Sequence, residues 1–458
     1  MFTFNLDEKK YKKVHFIGIG GVSMSGIAVL LSKNGYEVSG SDRNDSKYLE
    51  NLRKNNIQTL IGQKRENIID QDLFIYTDAI LPDNEELIAA KKTGKPVVTR
   101  GVFLGALMRN YNRSIAVSGS HGKSTATSMI SKILVESEEN ASILLGGMLD
   151  EIDGNVLVGD SDILLTEACE FKANILHYYP STVIILNIDA DHLDYYKDLN
   201  HIVETFIGYM KNLDENSKAI INIDDKNTHR LFNHVKGKLI TFGQDEKAMY
   251  RIENIAYNKS GHPTFDLVKN GNVMSFSLDI LGNYNVYNAA AAIIASLENG
   301  IPLETIQISI STYHSLHRRM EIVGNYNDAV IMTDYGHHPV EIKATLHTLK
   351  SIQKEKLIVV FQPHTYSRTK ALLDDFADSF YDADEVIVTE IFAAREKFDP
   401  TIKSEDLVEK LIENGVKARY IKEFDEAKEY IQSIVNPHDI CITTGCGNPD
   451  ILAEMIVA

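Results

Sequence analysis

Residues 114–130 read SIAVSGSHGKSTATSMI, and this stretch decides how the middle of the chain folds. Its first four residues are a short apolar run typical of a buried strand, and a helix-like run follows Lys123 and Ser124. A turn rich in Gly and Ser separates the two runs. A strand, a Gly turn and a helix in this order predict a phosphate-binding loop, in which backbone N–H groups at the start of the helix hold an anion.

The turn is a short variant of the usual phosphate loop, because Val117 stands where the leading Gly is expected. The chemistry is unchanged: Lys123 would reach the outer phosphates and Ser124 would bind Mg²⁺. The alternative is a purely structural turn, but such a turn has little reason to place a Lys where the helix dipole disfavours it. The predicted nucleotide-binding residues are Gly119, Ser120, His121, Gly122, Lys123, Ser124 and Thr125.

A second Gly turn lies near the N-terminus, in VHFIGIGGVSMSGIA, residues 14–28. It follows a strand and opens a helix, so it predicts a pyrophosphate cradle. Ser23 occupies the place where the dinucleotide fingerprint expects Gly, and Asp42 follows the next strand, where a ribose-binding acid would lie. The alternative is a tight packing corner. The candidate cradle residues are Gly18, Gly20, Gly21, Ser23 and Asp42.

The composition narrows the class of protein. The chain has 458 residues, enough for about three domains. Its net charge of −17 argues against non-specific binding to nucleic acid or to an anionic membrane. Three cysteines without a CxxC pair favour neither a disulfide framework nor a zinc site. We find no signal peptide and no membrane-spanning run, and we expect a cytoplasmic protein.

Apolar runs that alternate with helical stretches predict three α/β domains in series, with parallel sheets covered by helices. The polar–apolar alternation of residues 250–280 predicts an antiparallel meander at the edge of the second sheet. An Ala-rich helix is predicted over residues 285–297. We set the domains at residues 1–110, 111–318 and 319–458. The predicted fold is a Rossmann-like first domain, a central domain of phosphate-loop ATPase type with an antiparallel edge, and a Rossmann-like third domain.

Acidic residues follow two predicted strands of the central domain. Glu167 ends one strand, and Asp189, Asp191 and His192 follow another. Because the ends of parallel strands meet at one edge of the sheet, Glu167 and His192 are candidate metal ligands. The alternative is that the acids cap helices, which is equally expected for Asp189, Asp191 and Asp194.

Histidine and arginine cluster after predicted strands of the third domain. His337 and His338 are candidates for orienting a carboxylate or moving a proton. His364 and Arg368 follow the next strand, and the Arg suits a carboxylate or phosphate. Arg318 and Arg319 lie at the predicted domain boundary, whereas His314 and His317 are expected on the surface.

Together these stretches resemble the Mur ligase family. The resemblance covers nearly the whole chain, and its markers occur in the order of the family. The markers are GIGGVSMSGIA, SGSHGKST, TEACE, NIDADHLD, GNYNVYNAAAA, HRRME, DYGHHPVEI and FQPHTYSRT. The resemblance implies one domain for a UDP-sugar, one for ATP, and a C-terminal domain that closes over them.

The resemblance also implies the reaction. L-alanine would be joined to the carboxylate of UDP-N-acetylmuramate, with ATP and Mg²⁺ as cofactors and through an acyl phosphate. Such chemistry needs no protein nucleophile, so catalysis rests on positioning and charge stabilisation. The implied partners are these two substrates, with no nucleic acid and no membrane, and the implied assembly is a monomer or homodimer.

The residues of the family motifs carry implied roles. Lys123 would hold the γ-phosphate, while Ser124, Glu167 and His192 would bind Mg²⁺. The remaining roles are adenine contact by Asn285 and Asn288, ATP contact by Arg319 and Asp334, amino-acid or product contact by Tyr335, His337 and Arg368, and UDP contact by Gly18, Gly20, Gly21, Ser23 and Asp42. The implied catalytic set is Lys123, Glu167, His192, His337 and Arg368.

Several positions depart from the family pattern, and alternatives therefore stay open. Tyr284, Thr333 and Thr365 stand where the family usually has His, an acid and Arg. These departures concern the choice of the amino acid that is added more than the use of ATP. One alternative is a related ligase that adds a peptide or another amino acid to the same UDP-sugar. Another is a nicotinamide-dependent oxidoreductase that uses the first Gly turn, and a third is a protein that only senses the UDP-sugar.

Overall fold

The structure is a computed structural model that describes residues 2–193, 195–352, 355–394 and 396–458. These residues form three β-sheets in chain order, each flanked by α-helices. Within the described residues, no helix combines the length and apolar character needed to cross a bilayer.

The first sheet has five parallel strands in the order β3-β2-β1-β4-β5. Its strands are β1 (Lys13–Ile17), β2 (Glu37–Asp42), β3 (Gln58–Ile61), β4 (Leu73–Tyr76) and β5 (Val97–Thr99). Its helices are α1 (Val22–Lys33), α2 (Lys47–Lys54), α3 (Glu85–Lys92) and α4 (Arg100–Met108). The strand order reverses at β1, between β2 and β4, so the ligand crevice is expected at the end of β1, where the first Gly turn begins.

The central sheet has ten strands in the order β15-β14-β13-β12-β11-β10-β6-β9-β7-β8. The strands are β6 (Arg113–Ser118), β7 (Ser142–Leu149), β8 (Gly154–Leu157), β9 (Ile163–Glu167), β10 (Thr182–Ile185), β11 (Lys218–Asn222), β12 (Lys238–Gly243), β13 (Tyr250–Tyr257), β14 (Pro263–Lys269) and β15 (Asn272–Ser277). The helices are α5 (Lys123–Glu136), α6 (Leu199–Met210), α7 (Asn283–Glu298) and α8 (Leu303–Ser311). β6 lies between β9 and β10, so the loops after these three strands share one edge.

The third sheet has the order β16-β17-β21-β18-β19-β20, and only β16 is antiparallel. Its strands are β16 (Glu321–Tyr326), β17 (Ala329–Asp334), β18 (Leu357–Phe361), β19 (Glu385–Val388), β20 (Ala418–Tyr420) and β21 (Ile440–Thr444). Its helices are α9 (Pro339–Ile352), α10 (Tyr366–Ala371), α11 (Leu373–Ser379), α12 (Ser404–Glu413), α13 (Phe424–Ile434) and α14 (Pro449–Val457). Short 3₁₀ helices elsewhere in the chain cover Arg65–Asn67, Asp150–Ile152, Phe171–His177 and Thr228–His234.

The buried side chains of β6 alternate between two apolar cores. Ile115 and Val117 pack with α5 and α7, whereas Ala116 faces a core shared with the first domain. That shared core includes Phe16 of β1 and Leu144 of β7. Since strand side chains point alternately to opposite faces, an apolar run of this kind is what a sheet covered on both sides requires.

The predicted fold class is confirmed as a three-domain α/β architecture, and the edge meander is the antiparallel unit β13–β15. Strands absent from the prediction include β3, β7, β8, β12 and β16. Most of these are short or lie at a sheet edge, where one face is solvated and the apolar run is interrupted. The domain limits at residues 110 and 318 stay a prediction, and both fall in connections between sheets.

Candidate active site

The first Gly turn is a tight backbone corner closed by Asp42. Gly18 has φ +86°, and a Cβ there would lie 2.5 Å from Thr77 Cγ2, so only Gly fits. The Gly20 N–H donates to Asp42 Oδ2 at 2.8 Å. Gly21 caps α1, which begins at Val22. The predicted cradle residues therefore come together at the ends of β1 and β2.

A cation at this turn was missed by the sequence reasoning. Arg100, the first residue of α4, donates through Nη1 to Ser23 Oγ at 3.3 Å. A guanidinium beside a helix N-terminus and its Gly turn is suited to the negative charge of a pyrophosphate. No spacing rule links Arg100 to the turn, because the two meet only when β5 is placed next to β4.

The second Gly turn is held by the loop that follows β10. The Ser120 hydroxyl accepts from the Asp189 N–H at 2.8 Å, and the Asn187 side chain bonds both the N–H and the C=O of His121. Gly122 has φ +84°, and a Cβ there would lie 2.4 Å from Asn288 Oδ1. Gly122 is therefore required both by its backbone and by the contact with α7.

Lys123 points into its own loop. Its Nζ donates to the carbonyl oxygens of Gly119 and Ser120 and lies 3.3 Å from the carboxylate of Glu170. Burial opposes the charge on Lys123, but Glu170 holds the pKa of the ammonium above its ordinary value. Glu170 is a further residue that the sequence reasoning did not single out.

The predicted metal ligands form two neighbouring groups. Ser124 Oγ donates to Glu167 Oε2 at 3.1 Å, and the other oxygen of Glu167 accepts from the Gly146 N–H at 2.8 Å. His192 lies instead beside Glu170 and Asp191, at 3.9 Å and 3.6 Å from their carboxylates. Oxygen ligands such as those of Ser124 and Glu167 suit Mg²⁺. Asp194, an alternative helix cap in the sequence, lies outside the described residues.

A cavity of about 970 Å³ opens from this edge toward the third domain. Asn285 and Asn288 of α7 are buried at its wall, and the Asn288 side chain donates to Asn285 Oδ1 at 3.0 Å. The same cavity is lined by His121, Thr125, Arg319 and Asp334. Its volume is that of a nucleotide-sized site.

Asp334 anchors the third domain's side of the cavity. Its carboxylate accepts from the N–H groups of Met320 at 3.0 Å and Gly336 at 2.8 Å. Burial raises the pKa of Asp334, against the lowering effect of Arg319. The guanidinium groups of Arg318 and Arg319 each lie 4.9 Å from the centre of the Tyr335 ring.

His337 and Arg368 occupy a second corner of the third domain. The His337 Nδ1 lies 3.1 Å from the carbonyl oxygen of Tyr335 and therefore donates to it. Burial lowers the pKa of His337 to about 4. The Arg368 Nη2 donates to Asp191 Oδ1 at 3.1 Å, which joins the third domain to the loop after β10. His338 approaches the same loop, since its Nε2 lies 3.3 Å from the carbonyl oxygen of Ala190.

The two histidines that the sequence placed on the surface are exposed, and both line the cavity. His314 is largely exposed, with 76% of its side chain accessible. His317 is half-exposed and bridges Asp150 and Glu321, at 3.0 Å and 2.8 Å. The three cysteines, Cys169, Cys441 and Cys446, are free thiols.

Comparison with protein families finds three adjoining matches. Residues 13–112 match the model "Mur ligase family, catalytic domain", residues 117–296 match "Mur ligase middle domain", and residues 318–447 match "Mur ligase, glutamate ligase domain".

The chain is also similar to individual ligases, both in sequence and in solved structure. The chain is 42% identical to the UDP-N-acetylmuramate–L-alanine ligases of Alkaliphilus metalliredigens and Clostridium acetobutylicum, and each alignment covers 100% of both chains. A crystal structure of UDP-N-acetylmuramate-alanine ligase from Thermotoga maritima is similar with a TM-score of 0.82 at 27% identity, covering 97% of this chain and 98% of the other. A murein peptide ligase from Psychrobacter arcticus shares the fold with a TM-score of 0.74 at 21% identity, covering 97% and 98%.

Proposed function

The chain belongs to the Mur ligase family, and we propose that it joins L-alanine to the carboxylate of UDP-N-acetylmuramate in the synthesis of peptidoglycan precursors. Its full-length relatives at 42% identity are named UDP-N-acetylmuramate–L-alanine ligases. The members of this family are ATP-dependent ligases that form C–N bonds. We expect the reaction in the cytoplasm, by a monomer or homodimer.

One observation of the structure carries the proposal. Ser124 Oγ lies 3.1 Å from Glu167 Oε2, next to Lys123 in the phosphate loop. The adjoining loop residues His121, Gly122 and Thr125 line a cavity to which both the central and the third domain contribute. Such a crevice allows one reactant to be held by each domain, which is the arrangement that a ligase of two substrates and ATP requires.

The first step would transfer the γ-phosphoryl group to the muramate carboxylate. A carboxylate oxygen forms the new bond to phosphorus, the bond to the β-phosphate oxygen breaks, and ADP leaves with that electron pair. Lys123 and the N–H groups of the loop would stabilise the charge that spreads over the transferred group. For this, Lys123 must exchange its present contacts with Gly119, Ser120 and Glu170 for phosphate oxygens.

The residues present fit a bound Mg²⁺. Ser124 and Glu167 offer adjacent oxygen ligands, and among the described residues Oε2 of the buried Glu170 accepts no hydrogen bond, although Lys123 Nζ lies 3.3 Å from it. Ser124, Glu167 and His192 would hold the ion. When bound, it would neutralise negative charge on the phosphate groups.

The second step would be attack of the alanine amine on the acyl phosphate, with loss of phosphate. His337 suits the orienting of that amine, because Nδ1 donates to the Tyr335 carbonyl and leaves the Nε2 lone pair available. Its low pKa keeps the ring neutral at pH 7. Arg368 would meet the carboxylate of the amino acid or of the product, in exchange for its contact with Asp191.

The first domain would bind the UDP part. The turn at Gly18–Ser23 offers a helix N-terminus, Arg100 adds a cation, and Asp42 closes the corner. Phosphate recognition of this kind is generic, so the base and sugar would be selected by the rest of the crevice.

The decisive experiment is phosphate release from ATP with UDP-N-acetylmuramate and a panel of amino acids. We expect release that requires both the UDP-sugar and L-alanine, with less release for the other amino acids of the panel and none for a tripeptide. Phosphate release with the UDP-sugar and the tripeptide, but not with the UDP-sugar and any single amino acid, would favour the peptide-adding alternative. Binding of NADH with no binding of the UDP-sugar would favour the oxidoreductase.

A further inference from the structure

The imidazole of His121 bridges two domains. Its Nε2 lies 3.2 Å from Asp189 Oδ2, within the central domain, and its Nδ1 lies 3.2 Å from Glu341 Oε1, in the third domain. The His121 side chain is only 15% exposed. His121 directly precedes Gly122 and Lys123, so this bridge ends on the phosphate loop itself.

The two carboxylate oxygens of Glu341 have different hydrogen-bond partners. Its Oε2 accepts from the backbone N–H groups of His337 and His338, at 3.1 Å and 3.3 Å, and so caps the first turn of α9. Its Oε1 is left to reach His121. The start of α9 and the preceding loop, which carries His337, are thus linked to the phosphate loop by one carboxylate.

Both ring nitrogens of His121 face carboxylate oxygens, so both must donate and the ring is an imidazolium. Burial opposes that charge, but the hydrogen bonds to Asp189 and Glu341 raise the pKa of His121 to about 10. The bridge is therefore a partly buried triad of one cation between two anions, and removal of either anion leaves the imidazolium short of a partner.

The surrounding groups support the same link. Asp191 and Ala190 of the loop after β10 contact Arg368 and His338 of the third domain, at 3.1 Å and 3.3 Å. The rings of His121 and His338 lie 4.9 Å apart. A metal ion between His121, Asp189 and His338 is disfavoured, although their ligand atoms lie within 4.8 Å of one another, because the ring nitrogens already have hydrogen-bond partners.

We propose that His121 is a positioning residue that couples the phosphate loop to the third domain through Glu341. In this arrangement the phosphate loop and the His337 loop that leads into α9 are held in register, so that the two reacting groups meet. The kinetic part of this inference rests on the proposed function, whereas the structural part does not.

The structural test is small-angle X-ray scattering on Glu341→Gln and on the unchanged protein, each without ligand. The Gln carbonyl can still cap α9, so the helix is expected to survive and only the charged link is lost. We expect a larger radius of gyration and faster hydrogen exchange of residues 119–125. Glu385→Gln is the matched control, because Glu385 pairs with Lys417 and Tyr430 within the third domain. An unchanged radius and exchange rate in Glu341→Gln would overturn the proposal.

The kinetic test is a double-mutant cycle of His121→Gln and Glu341→Gln. If the two residues act through each other, each single variant lowers kcat by about tenfold to a hundredfold, with little change in KM for the UDP-sugar. The double variant is then no slower than the slower single variant. Additive losses, or a change confined to KM, would overturn the coupling. If the unchanged protein itself forms no ligation product, the proposed function fails, while the scattering test still decides the link.

Discussion

The ammonium of Lys123 lies 3.3 Å from the carboxylate of Glu170, whose side chain is only 2% exposed. The main cation of the phosphate loop is therefore paired within the protein. A phosphate that binds in the loop must replace this carboxylate, along with the carbonyl oxygens of Gly119 and Ser120. The contact makes the affinity for ATP depend on Glu170 as well as on the loop.

Replacing Lys123 by Ala is expected to abolish ligation and to leave the fold intact. The loss of one preorganised donor to developing phosphate charge typically lowers kcat by about 10²–10³-fold. Phosphate release under saturating substrates measures the effect, with circular dichroism as the check of folding. Lys132→Ala on the same helix is the control, because Lys132 pairs with Glu136 and Glu151 away from the loop. A Lys123 variant with near-native turnover would remove this residue from the mechanism.

Neutralising Glu170 by Gln should lower the thermal midpoint of the ligand-free protein, because the buried ammonium of Lys123 loses its anionic partner. The cost is about 1–3 kcal/mol. A non-hydrolysable ATP analogue then restores more stability to Glu170→Gln than to the unchanged protein, since its phosphates supply the missing charge. Thermal melts with and without the analogue measure the two gains. If the analogue stabilises Glu170→Gln no more than it stabilises the unchanged protein, Glu170 does not compete with the phosphates for Lys123.

Glu167→Gln and His192→Ala are each expected to raise the Mg²⁺ concentration required for half-maximal activity. Glu167 faces Ser124 directly, whereas His192 lies beside Glu170 and Asp191. We therefore expect the larger shift for Glu167, at least about 10–100-fold, because loss of a residue that only supports a metal ligand already has an effect of that size. Magnesium titrations of the initial rate provide the measurement. If neither variant changes its metal dependence, the two residues are structural caps.

The bridge at His121 should make stability depend on pH. Its pKa is raised from an ordinary 6.5 to about 10, so the stabilisation is fully present below about pH 6.5 and is lost as the pH rises through about 10. The groups that face the ring are Asp189, Glu341, Asp191 and His338. The difference in thermal midpoint between the unchanged protein and His121→Gln should shrink over this range. A difference that grows toward alkaline pH would contradict the assignment.

UDP-N-acetylmuramate should bind the full-length protein, and NAD and NADP should not bind measurably. Ser23 interrupts the dinucleotide fingerprint, and Arg100 sits against it at 3.3 Å. Replacing Arg100 by Gln should weaken binding of the UDP-sugar about tenfold or more, through loss of a charge-assisted contact. Calorimetric titration of the protein with UDP-N-acetylmuramate, NAD and NADP in turn measures the three affinities. Tight binding of NADH without binding of the UDP-sugar would contradict the ligase proposal.

The sequence predicted the three α/β domains and both Gly turns. These features follow from local patterns: apolar runs of strand length, Gly where φ is positive or no Cβ fits, and a helix directly after the turn. Gly18, Gly119 and Gly122 all have positive φ in the structure. Glu167 was singled out because it ends an apolar strand, and it does lie beside Ser124.

The tertiary structure alone decided which charged groups are partners. Glu170 meets Lys123 because β9 pairs with β6, Arg100 meets Ser23 because β5 follows β4, and Glu341 meets His121 because the third domain rests on the central one. None of these pairs has a fixed spacing in the chain. Backbone conformation is encoded within about a dozen neighbouring residues, whereas the partner of a side chain depends on strand order and on how domains pack. That is why the loops could be recognised from the sequence and their electrostatic partners could not.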